Sequence, residues 1–132
     1  MTYTCPKCII EPGSHSFQKI NETQKGVSVF YCSPSKAKYY NDNEGILEHY
    51  DGMLKNNGDK PWIWIFDSKG FSMKHATNLS LAKNLAILIN VKYSKNLKKI
   101  IIINSTWHIN ITLKCVIPFL DESVAKLIYK YS

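Results

Sequence analysis

Pro61-Trp62-Ile63-Trp64-Ile65-Phe66-Asp67-Ser68-Lys69-Gly70-Phe71 is the stretch from which the rest of the chain can be ordered. The bulky apolar residues from Trp62 to Phe66 run without a polar break and stop at an acid. Alternation would mean one wet face. An unbroken run predicts an interior strand of a parallel sheet, covered on both faces. Asp67 then marks the strand's carboxyl end, and Gly70 supplies the permissive backbone of a turn. In open α/β sheets, ligands sit in the crevice beyond the carboxyl ends of the strands, which makes residues 67–71 candidate functional positions.

Working towards the C-terminus, a helical pattern covers Ala76 to Tyr93. Leu81, Leu85 and Leu88 adjoin Ala82, Ala86 and Ile89, while Ile87 and Val91 extend the apolar surface round the other side. A helix apolar over more than half its girth needs two neighbours. The sheet is one; the other is a helix, a partner chain or an apolar ligand. Ile100 to Ile103 predicts a second buried strand, ending at Asn104-Ser105-Thr106-Trp107. Strand, long helix and strand imply a parallel pair with a right-handed crossover. Thr106 or Asn104 caps a further helix with Ile109, Leu113, Val116 and Ile117 on one face, closed by Pro118. A short turn or helix over Asp121 to Ala125 and a last strand over Lys126 to Tyr131 follow.

Working towards the N-terminus, Asn41-Asp42-Asn43-Glu44 offers caps for an amphipathic helix striped by Ile46, Leu47, Tyr50, Met53 and Leu54. His49 lies beside that stripe and reads as a half-buried, hydrogen-bonded histidine. Ser16 to Ile20 and Val27 to Cys32 read as a β-hairpin. The expected architecture is a single α/β domain over 1–132 with a mixed, mostly parallel sheet. Residues 1–33 form a Cys/His segment and hairpin, and residues 34–132 the core.

A chain of 132 residues supports one hydrophobic core. Its longest apolar segment is far short of the ~20 residues of a membrane span. The start carries no basic and apolar leader pattern, so the expected setting is a reducing cytoplasm, with contact at membranes peripheral. The net charge of +7 comes from lysine alone. Lysine lacks the flat fork used for bidentate recognition of phosphate or guanine, so the charge suits loose attraction to acidic surfaces, an anionic membrane among them, better than sequence reading. The lysines are scattered, and no aromatic-basic interleaving marks a stacking platform, which argues against nucleic acid.

Cys5-Pro6-Lys7-Cys8 has a spacing that lets two thiolates meet one tetrahedral metal. His15 and Cys32 complete a candidate Cys3His set for one structural zinc; plain reduced thiols are the alternative. Redox chemistry is disfavoured, because such a motif normally follows a strand and opens a helix. Cys115 reads as core. Asp67, His75 and His108 are the one set that converges on acid–base chemistry. No G-x-S-x-G elbow, Gly-rich phosphate loop or H-E-x-x-H accompanies them, and the expectation is no enzyme. Asp67, Gly70 and Asn104 read first as turn and cap residues. Lys69, Lys74 and His75 beside the crevice suit an anionic headgroup.

Four pieces of sequence then resemble one family. Ile63 to Ser72 is similar to the strand-D-x-x-G-F-S signature of CRAL-TRIO lipid-binding domains. Tyr93-Ser94 through Leu97-Lys98-Lys99-Ile100 resembles that family's link into its next strand. Ile102-Ile103-Asn104-Ser105-Thr106-Trp107 resembles "iiNaPw", with Thr106 where proline is common, and Ile117-Pro118-Phe119-Leu120-Asp121 resembles "kPfL". The resemblance implies a non-enzymatic domain whose sheet floors an apolar cavity for a hydrophobic or phosphoinositide-type lipid. Trp64, Phe66, Phe71, Ile89, Ile102, Trp107 and Leu113 are the expected lining. The family's helical extension before the lipid domain is expected to be missing, with the Cys/His segment in its place, and its C-terminal gate region is expected to be missing as well. The pocket is therefore expected to be reduced, and a homodimerising or protein-docking module is the alternative.

Overall fold

The structure, a computed structural model, describes residues 3–131. The ends of the expected domain, residues 1, 2 and 132, lie outside the described residues. Five strands form one sheet: β1 Gln18–Glu22, β2 Ser28–Cys32, β3 Trp62–Asp67, β4 Leu97–Ile103 and β5 Ile128–Lys130. They lie in chain order, with β1 antiparallel to β2 and every later pair parallel. Helix α1 Pro6–Ile10 precedes the first strand, and between the strands run α2 Asn43–Asn57, α3 Met73–Ala76, α4 Leu79–Leu88, α5 Trp107–Val116 and α6 Glu122–Ala125.

Strand order decides where the helices go. Right-handed crossovers that always step in the same direction place every crossover helix on the same side of the sheet. The burial pattern shows it. Phe30, Cys32, Trp62, Trp64, Ile100 and Ile102 point to the helical side and join one core with Tyr50, Leu54, Leu81, Ile89 and Ile109. Val29, Tyr31, Ile63, Ile65, Ile101 and Ile103 point the other way and are only half-buried. The expectation of strands sealed on both faces is thus corrected: on the back face Ile65 lies beside Tyr31 and Ile101, and Ile63 beside Val29 and Lys99, and no helix lies over them among the described residues. With no reversal of strand order, the sheet also has no topological switch point to open a crevice.

Local chemistry explains the remaining departures. The helix expected over 76–93 is interrupted because Asn78 caps a fresh helix, its side-chain oxygen accepting the Leu81 amide at 3.4 Å. It ends in a π-helical turn over Ile89–Tyr93. Strand β1 has all five residues exposed. It is held by pairing with β2 and by Phe17 just before it, whose ring stacks on Tyr50 at 4.0 Å and Phe30 at 5.1 Å. Gly52, inside α2, has no room for a Cβ, because the Tyr3 ring lies where it would stand.

Candidate functional site: an apolar cavity beneath the helices

The cavity of about 90 Å³ lies between the sheet and the pair α4–α5. Trp64, Phe66, Ile100 and Ile102 form its floor. Leu85 and Ile89 on one side, and Ile109, Leu113 and Val116 on the other, form its walls. It exists because α4 presents Ala82 and Ala86 here, short side chains that leave the space between helix and sheet unfilled. Thr112 on the wall bonds back to the His108 carbonyl at 3.1 Å, and Tyr40 is the second hydroxyl residue of the lining.

Of the expected lining, Trp64, Phe66, Phe71, Ile89, Ile102 and Leu113 reach the cavity. Trp107 does not: it is 59% exposed, its ring against that of His108 at 3.8 Å. Trp107 stands two residues before Ile109, about 200° away round a helix of 3.6 residues per turn, so the face that buries Ile109 turns it outwards. The reading also passed over Tyr40, Ala82, Ala86 and Leu120. The alanines carry no pattern signal, since a small residue lines a cavity by what it leaves out.

The strand tips hold a turn rather than a ligand cleft. The Asp67 carboxylate accepts from Tyr31 Oη at 2.5 Å, Asn104 Nδ2 at 2.9 Å and the Lys69 amide at 3.0 Å. Burial alone would raise its pKa, but these hydrogen bonds outweigh it and hold the carboxyl below the usual range. Gly70 has φ +79°, and a Cβ there would meet the Ser35 side chain at 2.8 Å. His75 Nδ1 accepts the Ser72 amide at 3.0 Å in a capping box, its ring stacked on Phe71. Burial pushes the His75 pKa down. His108 is a separate matter, packed on Trp107, so the carboxylate and two imidazoles are each engaged elsewhere.

Lys74 reaches a second, polar hollow of about 530 Å³ with Lys38, Asn41, Asn43 and Asn78. Tyr40 borders both hollows. Lys69 is exposed and does not line either of them.

Against the first half of α2, Cys5, Cys8, His15 and His49 bring one donor atom each within 4.8 Å of one another, an arrangement compatible with a metal ion. Cys32 is not among them, which corrects the expected Cys3His set. It points from the end of β2 into the core, where it accepts the Trp64 indole N–H at 3.1 Å, and burial raises its thiol pKa to about 12. His49 takes its place, brought over residues 5–15 by α2. No spacing rule reaches that pairing, because Cys8 and His49 are 41 residues apart. Two further corrections belong here: Cys5 does open a helix, the five-residue α1, and Cys115 is exposed rather than core.

The fold is thus an open, singly wound α/β sheet whose helical layer encloses an apolar hollow. The chain belongs to the CRAL/TRIO domain family, whose profile matches residues 6–131. CRAL/TRIO domains are generally lipid-binding and non-enzymatic. Comparison with curated proteins gives no significant match. Among solved structures, the crystal structure of Sfh5 is similar in fold, with a TM-score of 0.65 at 14% identity. The match covers 87% of this chain and 46% of the Sfh5 chain, so this chain corresponds to less than half of Sfh5.

Proposed function

We propose that this domain binds a small apolar ligand, or one acyl segment of a phosphoinositide-type lipid, in the cavity under α4 and α5. The supporting observation is the cavity itself, a gap of about 90 Å³ lined mostly by apolar side chains. Its size sets the ligand. Pockets that enclose drug-sized ligands run to roughly 300–1,000 Å³, whereas a 150 Å³ core cavity is known to take benzene. A guest of a few carbons enters as the walls stand; a whole phospholipid requires α4 and α5 to part.

A headgroup, in this reading, lies in the polar hollow on the far side of Tyr40, near Lys38 and Lys74. The +7 charge and the exposed apolar residues Met73, Ile87, Val91, Trp107 and Ile117 suit transient contact with an anionic membrane from a reducing compartment. No helix is long and apolar enough to cross a membrane among the described residues.

A second reading rests on the uncovered isoleucine face of the sheet: a member that docks a protein or a second copy there and holds no lipid. Native mass spectrometry of the gently purified chain separates the two. A co-purifying lipid mass that disappears in Ala86→Phe supports the first. An empty monomer overturns both, and an empty dimer that Ile63→Lys dissociates favours the second.

A further inference from the structure

We propose that Cys5, Cys8, His15 and His49 form a structural zinc site that fastens the N-terminal segment to α2. The site is independent of the lipid reading and sits outside the apolar cavity.

The geometry is that of a tetrahedron's edges. With Zn–S near 2.3 Å and Zn–N near 2.05 Å, a tetrahedral site places sulfur and nitrogen about 3.6 Å apart. Cys5 Sγ lies 3.5 Å from His15 Nδ1, Cys8 Sγ 3.8 Å from His15 Nδ1, and Cys8 Sγ 3.7 Å from His49 Nδ1. These separations are long for hydrogen bonds that would by themselves organise four side chains, yet they match the edges of a shared coordination sphere.

Both imidazoles are oriented for it. A metal-binding histidine normally donates its other ring N–H to a carboxylate or a carbonyl. His15 Nε2 faces Asp42 Oδ2 at 2.9 Å, and His49 Nε2 faces the Phe17 carbonyl at 2.6 Å. A carbonyl can only accept, so His49 carries its proton on Nε2, which leaves the Nδ1 lone pair aimed at the thiols. Asp42 sets His15 in the same way, while also capping α2. The two rings meet edge to face at 5.4 Å, a packing that presents both Nδ1 atoms to one point.

A second observation concerns what holds the segment. Helix α1 has five residues, none of them buried, and its Ile9 and Ile10 are 63% and 86% exposed. Helices this short do not persist alone, and this one has no apolar face to bury. The buried groups at its ends are Cys5, Ser14 and His15. Two thiolates and two neutral imidazoles around a divalent ion carry no net charge, so burial of the filled site brings little desolvation cost. Binding releases the two thiol protons to solvent. Thiolate with imidazole in tetrahedral array is the donor set that suits zinc.

The test is elemental analysis of the purified chain, followed by cobalt exchange and visible spectroscopy. One zinc per chain, and a tetrahedral cobalt spectrum with thiolate-to-cobalt charge transfer, are expected. His49→Ala abolishes both, whereas Cys32→Ser keeps both. Should His49→Ala fail to fold, Asp42→Asn provides the independent reading: a 10–100-fold loss of zinc affinity with the chain still folded. A metal-free chain whose Cys5 and Cys8 alkylate freely in the native state overturns the proposal. So does zinc binding that survives His49→Ala but is lost in Cys32→Ser.

Discussion

Asn104 donates its side-chain amide to Asp67 across 2.9 Å, tying the end of β4 to the end of β3 where the two parallel strands release their chains. Asn104 is the only non-glycine residue with positive φ among the described residues, at 53°. Asparagine tolerates that region better than most residues, and here its side chain is also needed. Asn104→Gly should cost about 1.5–3 kcal/mol, the loss of a hydrogen bond to a charged group. Asn104→Ala loses the same bond and adds the left-handed backbone penalty, so it should be less stable than the glycine variant by a further ~1 kcal/mol. Urea denaturation of the three proteins orders them.

Acid should weaken the fold in two stages. Burial lowers the His75 pKa, so the folded state favours neutral imidazole, and its contribution is complete above the unfolded value near 6.5. As pH falls below that, the unfolded chain takes the proton first and stability declines. The depressed Asp67 carboxyl acts with the same sign lower down, beginning near the unfolded value of about 3.9. His75→Gln keeps the capping-box acceptor and removes the titration. Its urea midpoint, plotted against pH relative to the wild type, should lose the part of the upper decline that belongs to His75.

Filling the cavity should cost the fold little and the ligand everything. Ala86→Phe places an aromatic ring against Trp64 and Ile102, the floor residues beneath it. Stability is expected to stay within about 1–1.5 kcal/mol of the wild type in either direction, as volume is gained where volume was missing. Uptake of a fluorescent short-chain fatty acid should vanish. Unchanged uptake places the ligand elsewhere.

Thiol chemistry should sort the cysteines by place. Cys115 is exposed and should alkylate first in the native chain. Cys32, fully buried with its thiol pushed up to about 12, should react only on unfolding. Cys32→Ser keeps an acceptor for the Trp64 indole. Cys32→Ala leaves that N–H unpaired in the core, at a cost of about 1–3 kcal/mol. Labelling followed by peptide mass mapping, with thermal melts of both variants, checks the assignment.

Much of the fold was legible in the chain. Runs such as Trp62–Phe66 and Ile100–Ile103 announce buried strands, and the cap residues Asp42 and Thr106 begin their helices as read. Helix length between parallel strands then leaves a crossover as the only connection. That Trp62 and Trp64 share a face followed from the same run, because successive side chains alternate faces. What sequence could not supply was the partner across space. Ala82 and Ala86 mark a cavity only once a floor stands opposite them. Cys5 and His49 face each other only because α2 packs over the N-terminal segment.

The sequence by itself determined which stretches become strand or helix and which residues share a face, since those depend on spacings within a few residues. The tertiary structure alone decided three things: that no helix covers one sheet face among the described residues, that Ala82 and Ala86 help to line the hollow, and that His49 stands in place of Cys32 beside the thiols. Each follows from strand order and helix packing, which bring together residues tens of positions apart, and no local pattern encodes such distances.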